Sequence, residues 1–134
     1  MAYINKDDVA QIRKELKEAF PKFKFGVRKD NGMAVDVTIK SGPTDFSSIF
    51  NKDQYSQSRQ YVQINGYHID SFYGEHAEFL KKVQQIIKTA PARGEGYHKG
   101  TGYYDRSDAM TDYFDTAYYI HLNIGSWNQP YEVK

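Results

Sequence analysis

Residues 23–39, FKFGVRKDNGMAVDVTI, contain the clearest fold signal in the chain. On both sides of Asn31-Gly32, apolar side chains alternate with polar ones, which is the period of a strand that buries one face. Asn-Gly is a typical two-residue hairpin turn, because both turn positions require a positive φ. The stretch therefore predicts a β-hairpin from Phe23 to Ile39.

An amphipathic helix is predicted before this hairpin and another after it. Residues 5–20 and 74–89 both place apolar side chains at steps of three and four, the spacing of one helix face. Asn5 is the predicted N-cap of the first helix, and Pro91 is predicted to end the second. The apolar faces of the two helices and of the hairpin are predicted to share one core. Its residues are Val9, Ile12, Leu16, Phe25, Val35, Val37, Leu80, Val83 and Ile87.

The rest of the chain predicts an α+β fold. Residues 61–64 and 116–124 have the composition of strands, and Ser107 to Phe114 predicts a short acidic helix. We expect an antiparallel sheet of about four strands with the two main helices on one face. The length of 134 residues favours a single domain over residues 1–134.

Bulky residues on both faces of 116–124 indicate an interior strand. If that strand instead lay at the edge of the sheet, a homodimer would be favoured, because an unpaired edge strand can pair with the same strand of a second molecule.

Composition excludes several classes of protein. The chain has no cysteine, so disulfides, thiolate metal sites and cysteine nucleophiles are excluded. No apolar run is long enough to span a membrane, and the N-terminus does not resemble a secretory signal, so we expect a cytoplasmic protein without a membrane segment. No histidine lies in a HExxH frame and no serine in a GxSxG elbow. We therefore predict no catalytic residues, no metal and no cofactor.

A glycine-rich segment is the predicted contact surface. Residues 91–102, PARGEGYHKGTG, hold four glycines between Gly94 and Gly102, more than folding alone would require, because each loses backbone entropy when ordered. A mobile loop that carries exposed aromatic residues would suit a protein interface. The alternative is that Tyr103 and Tyr104 fold back over the sheet. The predicted partner-binding residues are Tyr97, His98, Tyr103, Tyr104, Asp108 and Asp112.

Other features of the sequence suggest two alternative functions. Lys22, Lys24 and Arg28 of the hairpin form a basic cluster that could bind nucleic acid. We expect no tight duplex binding, because the net charge is only +1. The glycines could also hold a nucleotide signal, to be bound or degraded, although Lys99 is followed by glycine and not by the Ser or Thr of a phosphate-binding loop.

The run from Ile12 to Thr44 resembles the opening of a domain family of phages and conjugative plasmids, the large polyvalent protein-associated domain number twenty-nine. The shared pattern is a helix that ends in KEAFP, a strand similar to KFSVR, a strand of small and β-branched residues, and a closing GPT. Tyr61 to Ile69, and the segment from Ser107 to Phe114 with the strand after it, are similar to its distal parts.

The resemblance implies a mobile-element setting, in which such domains accompany factors that protect incoming DNA. It assigns no active residue. The leading hypothesis is a non-enzymatic binding protein that inhibits a host defence complex, either a protein or a ribonucleoprotein, of the anti-CRISPR or anti-restriction type.

Overall fold

The computed structural model describes residues 3–50, 61–64, 66, 69, 73–105, 116–126 and 129–134. The helices in these ranges are α1 (Lys6–Ala19), α2 (Ser47–Phe50) and α3 (Ala77–Arg93), the last preceded by a 3₁₀ turn at Gly74–His76. The strands are β1 (Lys24–Asp30), β2 (Ala34–Gly42), β3 (Val62–Gln63), β4 (Tyr119–Ile124) and β5 (Glu132–Val133). The short acidic helix predicted at 107–114 lies outside the described residues.

The predicted hairpin is confirmed. β1 pairs antiparallel with β2, with Val27 opposite Val37. Asn31 and Gly32 both have positive φ, 53° and 72°, and the Met33 N–H donates to the Asp30 carbonyl at 3.1 Å. These are the features of a turn whose twist matches that of the strands.

The sheet is mixed, so the prediction of an antiparallel sheet is wrong in that respect. Its order is β1-β2-β4-β3, with β5 beside the end of β2. Both β4 and β5 run parallel to β2. Between β2 and β4 the chain makes a long excursion that includes α3, and such a crossover can return a strand in its original direction. β4 is interior, as predicted, which removes the edge-strand argument for a homodimer.

The core lies between α1, α3 and the face of the sheet that carries Val27, Val35 and Val37. All of the residues predicted for the core except Phe25 belong to this cluster, and Phe25 is half-buried against it. An aromatic group closes the core near the start of β1. There the Phe23 and Phe79 rings stack with centroids 4.7 Å apart, and Phe20 meets Phe79 edge-on at 5.0 Å. Much of the aromatic content therefore serves packing.

α3 continues past Pro91 to Arg93, so the predicted stop at Pro91 is wrong. Proline has no N–H, which leaves the Ile87 carbonyl without its helical donor. The Tyr118 hydroxyl donates to that carbonyl at 2.6 Å, and burial raises the pKa of Tyr118 well above its ordinary value, so the hydroxyl keeps its proton. The Lys88 carbonyl accepts from the Tyr103 N–H at 2.8 Å. Donors from distant segments thus satisfy the last turn of the helix.

An ion pair between Glu15 and Arg93 joins α1 to α3, and it makes stability depend on pH. The Arg93 Nε lies 2.9 Å from Glu15 Oε1. Burial raises the pKa of Glu15, but hydrogen bonds from Arg93 and Gln11 outweigh it and hold that pKa below its ordinary 4.5. The stabilisation is therefore present at neutral pH and is lost as the pH falls through the folded-state pKa.

We expect Glu15→Gln to lower the free energy of unfolding at pH 7 by at most about 1 kcal/mol, because Arg93 is half-exposed and solvent screens the pair. The difference from wild type should shrink as the pH falls below the ordinary pKa of 4.5 and through the lower folded-state pKa of Glu15, where Glu15 itself loses its charge. Urea titrations across this range measure it, with the exposed Glu18→Gln as the control. A difference that stays constant with pH would contradict the assignment.

Candidate functional site

The glycine loop, residues 94–102, is fastened to the N-terminus of α1. The His98 N–H donates to Asp8 Oδ1 at 3.0 Å, and His98 Nε2 lies 2.6 Å from the Tyr3 carbonyl oxygen. His98 is only 2% exposed. The backbone of the loop is therefore held by two polar contacts to a segment about ninety residues earlier in the chain.

Asp8 links the start of α1 to this loop. The Asn5 side chain accepts from the Asp8 N–H at 3.0 Å, and Asp8 Oδ2 accepts from the Asn5 N–H at 3.1 Å. This is a capping box, and it confirms Asn5 as the N-cap. Since the other oxygen of Asp8 binds the loop, one fully buried carboxylate begins the helix and holds residues 94–102 against it.

Close packing explains the glycines of the loop. A Cβ at Gly96 would overlap the Asp8 carboxylate, and one at Gly102 would come within 2.9 Å of the Lys88 carbonyl oxygen. Gly102 also has a positive φ of 65°, which L side chains rarely adopt. The interpretation that the loop holds more glycines than folding alone would require is therefore wrong for Gly96 and Gly102.

Of the six predicted partner-binding residues, the structure presents only Tyr97 as an exposed aromatic. Tyr97 is 63% exposed and meets the Tyr3 ring edge-on, with centroids 4.6 Å apart. Tyr103 and Tyr104 are half-buried against the core, where Tyr103 packs on Tyr118 at 5.3 Å. His98 is buried, and Asp108 and Asp112 lie outside the described residues.

Tyr97 is part of a surface that the sequence did not reveal. The Ile4 N–H donates to the Gly32 carbonyl at 2.9 Å, which brings Tyr3 beside the hairpin turn and the exposed Met33. We call Tyr3, Met33 and Tyr97 the aromatic end. No sequence pattern could have found it, because its three residues come from three distant segments.

The basic hairpin residues lie on a different surface. Lys24 and Arg28 project from the face of the sheet opposite the helices, while Lys22 precedes β1 in a turn. Lys40 of β2 joins them, although no pattern in the sequence predicts this. Arg28 Nη2 is 3.8 Å from Asp36 Oδ2.

The histidines in the described residues are dispersed. His76 and His98 are buried and His121 is half-buried, each on a different element. Among the residues that the structure describes, no group of three or more His, Asp or Glu side chains is placed to hold a metal ion. No helix in the described ranges has the length and apolar character needed to cross a membrane.

No curated protein and no solved structure matches this chain. The family model of the large polyvalent protein associated domain 29 matches residues 3–94, more than half of the chain. The match includes α1, the hairpin, α2, β3 and α3, and it ends where the glycine loop begins. Neither β4 nor β5 is included, although β4 supplies an interior strand of the sheet. The chain belongs to the large polyvalent protein associated domain 29 family.

Proposed function

We propose that this chain is a non-enzymatic binding protein of a phage or other mobile element, and that it acts in the host cytoplasm by occluding a host defence complex of the anti-CRISPR or anti-restriction type. The contact surface is the aromatic end. The phage or mobile-element context comes from the family, whose domains accompany factors that protect incoming DNA. The surface comes from the geometry around Tyr97.

The observation that carries the proposal is a pre-ordered, exposed tyrosine. His98, the residue next to Tyr97, is held by Asp8 and by the Tyr3 carbonyl. The Tyr97 ring also packs edge-on against the Tyr3 ring. A side chain that is already ordered loses little entropy when a partner binds it, and this is how aromatic anchors contribute most affinity.

The chemistry of the surroundings also suits a protein partner. Tyrosine and methionine are enriched in the buried centres of interfaces, and charged residues surround them at the rim. Met33 is 46% exposed at the hairpin turn. The exposed pair Lys99 and Glu95, with Nζ to Oε2 at 2.9 Å, flanks Tyr97 in the loop. Together these residues give an apolar centre with a polar edge.

The test is a pull-down of purified host defence effectors, followed by an inhibition assay on any effector captured. We expect the double variant Tyr3→Ala, Tyr97→Ala to lose most binding and inhibition while its melting temperature stays within a few degrees of wild type, because neither residue belongs to the buried core. An interface anchor typically contributes about 2 kcal/mol or more, which is roughly a thirtyfold loss of affinity.

The matched control is Val133→Ala, which removes another exposed apolar side chain, on β5. Full inhibition by the tyrosine double variant would sink the proposal. So would a loss of activity that only follows a loss of folding, since the tyrosines would then be structural. An equal loss in the Val133 variant would place the contact surface elsewhere.

A further inference from the structure

The face of the sheet opposite the helices carries a polar groove of about 470 Å³. Its lining includes Gly26, Arg28, Asp36, Thr38, Lys40 and Gln129. A second groove, of about 380 Å³, adjoins it and is lined in part by Lys24, Lys40 and Lys134. Lys40 and Gln129 line both, so the two grooves form one basic surface, which we call the basic groove.

The cations of this groove are arranged in a row along β1. Lys24 and Arg28 are four residues apart on one strand, about 13 Å at the rise of an extended chain. Lys40 reaches over Gly26, midway between them: a Cβ at Gly26 would lie 2.7 Å from Lys40 Cε and 3.3 Å from its Nζ. Positions two apart on a strand are about 6.6 Å apart, so the three cations are anchored in a row along β1, and the missing side chain at Gly26 makes room for the middle one.

The negative charges of the groove already have partners. Asp36 lies beside Arg28 and accepts a hydrogen bond from Asn123 Nδ2 at 3.1 Å. Glu132 pairs with Lys134, with Nζ to Oε2 at 3.1 Å. Neither the Lys24 nor the Lys40 ammonium group has an ion-pair or hydrogen-bond partner among the described residues. The groove therefore has an uncompensated positive charge that suits a polyanion.

Aromatic side chains stand on the same face of the sheet, two strands away. Tyr119 and His121 of β4 pair in register with Ala34 and Asp36 of β2, and Tyr119 is 47% exposed. Proteins bind single-stranded nucleic acid with a row of cations that follows the sugar–phosphate backbone and with aromatic side chains beside it on which the bases stack. A duplex keeps its bases stacked inside and would leave the aromatic residues unused.

We propose that the basic groove binds single-stranded nucleic acid, with phosphates along Lys24, Lys40 and Arg28 and bases lying across β2 towards Tyr119. This inference does not depend on the proposed function, although the Tyr119 N–H donates to the Met33 carbonyl at 2.9 Å and this end of the site therefore borders the aromatic end.

The test uses fluorescence anisotropy of a labelled oligothymidine titrated with the protein at several salt concentrations. The double variant Lys24→Glu, Lys40→Glu should bind about tenfold more weakly at low salt. Its logarithmic salt slope should be shallower by about 0.7 for each phosphate that the protein no longer neutralises. The matched control, Lys14→Glu with Lys17→Glu, makes the same charge change on the exposed side of α1 and should leave affinity within about twofold.

Two further variants examine the geometry. Gly26→Ala keeps every charge but displaces the Lys40 ammonium, and it should weaken binding less than the double reversal does. Tyr119→Ala should weaken binding about tenfold without changing the salt slope, because stacking releases no counterions.

Three outcomes would overturn the proposal. They are no measurable binding of oligothymidine at low salt, an equal loss of affinity in the α1 control, and equal affinity for a duplex of the same length. Melting temperatures of all variants establish that the protein remains folded.

Discussion

Leu16→Ala is expected to lower the free energy of unfolding by about 2–5 kcal/mol. Leu16 is fully buried on α1 and belongs to the cluster that joins this helix to α3 and the sheet. Removing its side chain loses the transfer free energy of the buried methyl groups and leaves a cavity that rigid neighbours fill only in part. Urea titration followed by circular dichroism measures the change.

The control for this variant is Lys17→Ala, one residue later on the exposed side of the same helix. It should change stability by less than about 0.5 kcal/mol, as surface substitutions usually do. A loss below about half a kcal/mol for Leu16→Ala would mean that α1 does not bury this face.

Asp8→Ala is expected to cost about 2–4 kcal/mol and to release the glycine loop. The carboxylate accepts hydrogen bonds from two backbone N–H groups, those of Asn5 and His98. Alanine leaves both donors without this acceptor inside the protein, and an unsatisfied buried donor costs far more than an exposed one. The variant should also bind a partner more weakly at Tyr97, since the backbone that holds the ring is no longer fixed.

Hydrogen exchange separates the local effect from the global one. Amides of residues 94–102 should exchange faster in Asp8→Ala under conditions where the sheet stays protected. Asp7→Ala is the matched control, because Asp7 is an exposed acid in the same first turn. Unchanged protection of the loop would show that the contact between Asp8 and His98 does not hold it.

The candidate surfaces could be predicted only in fragments. The position of Tyr97 among glycines predicts it as a contact residue, and the alternation along a strand predicts Lys24 and Arg28 as a basic cluster. Tyr3 and Met33 have no local signal, because each is an ordinary residue in its own segment. Lys40 has no local signal for a similar reason: its charge joins the row only because Gly26, on the paired strand, has no side chain and leaves room for that of Lys40.

Local sequence was sufficient to predict the hairpin, the two long helices, the Asn5 cap and the family. The hairpin, the helices and the cap depend on interactions between residues a few positions apart in the chain, so periodicity and turn chemistry are enough to predict them. The parallel pairing of β2 with β4 depends instead on long-range packing, as does the continuation of α3 through Pro91, where Tyr118 supplies the missing donor. The same holds for the burial of the glycine loop against Asp8. These features join residues that are distant along the chain, and a local pattern contains no information about which distant donor will satisfy a given buried carbonyl or carboxylate.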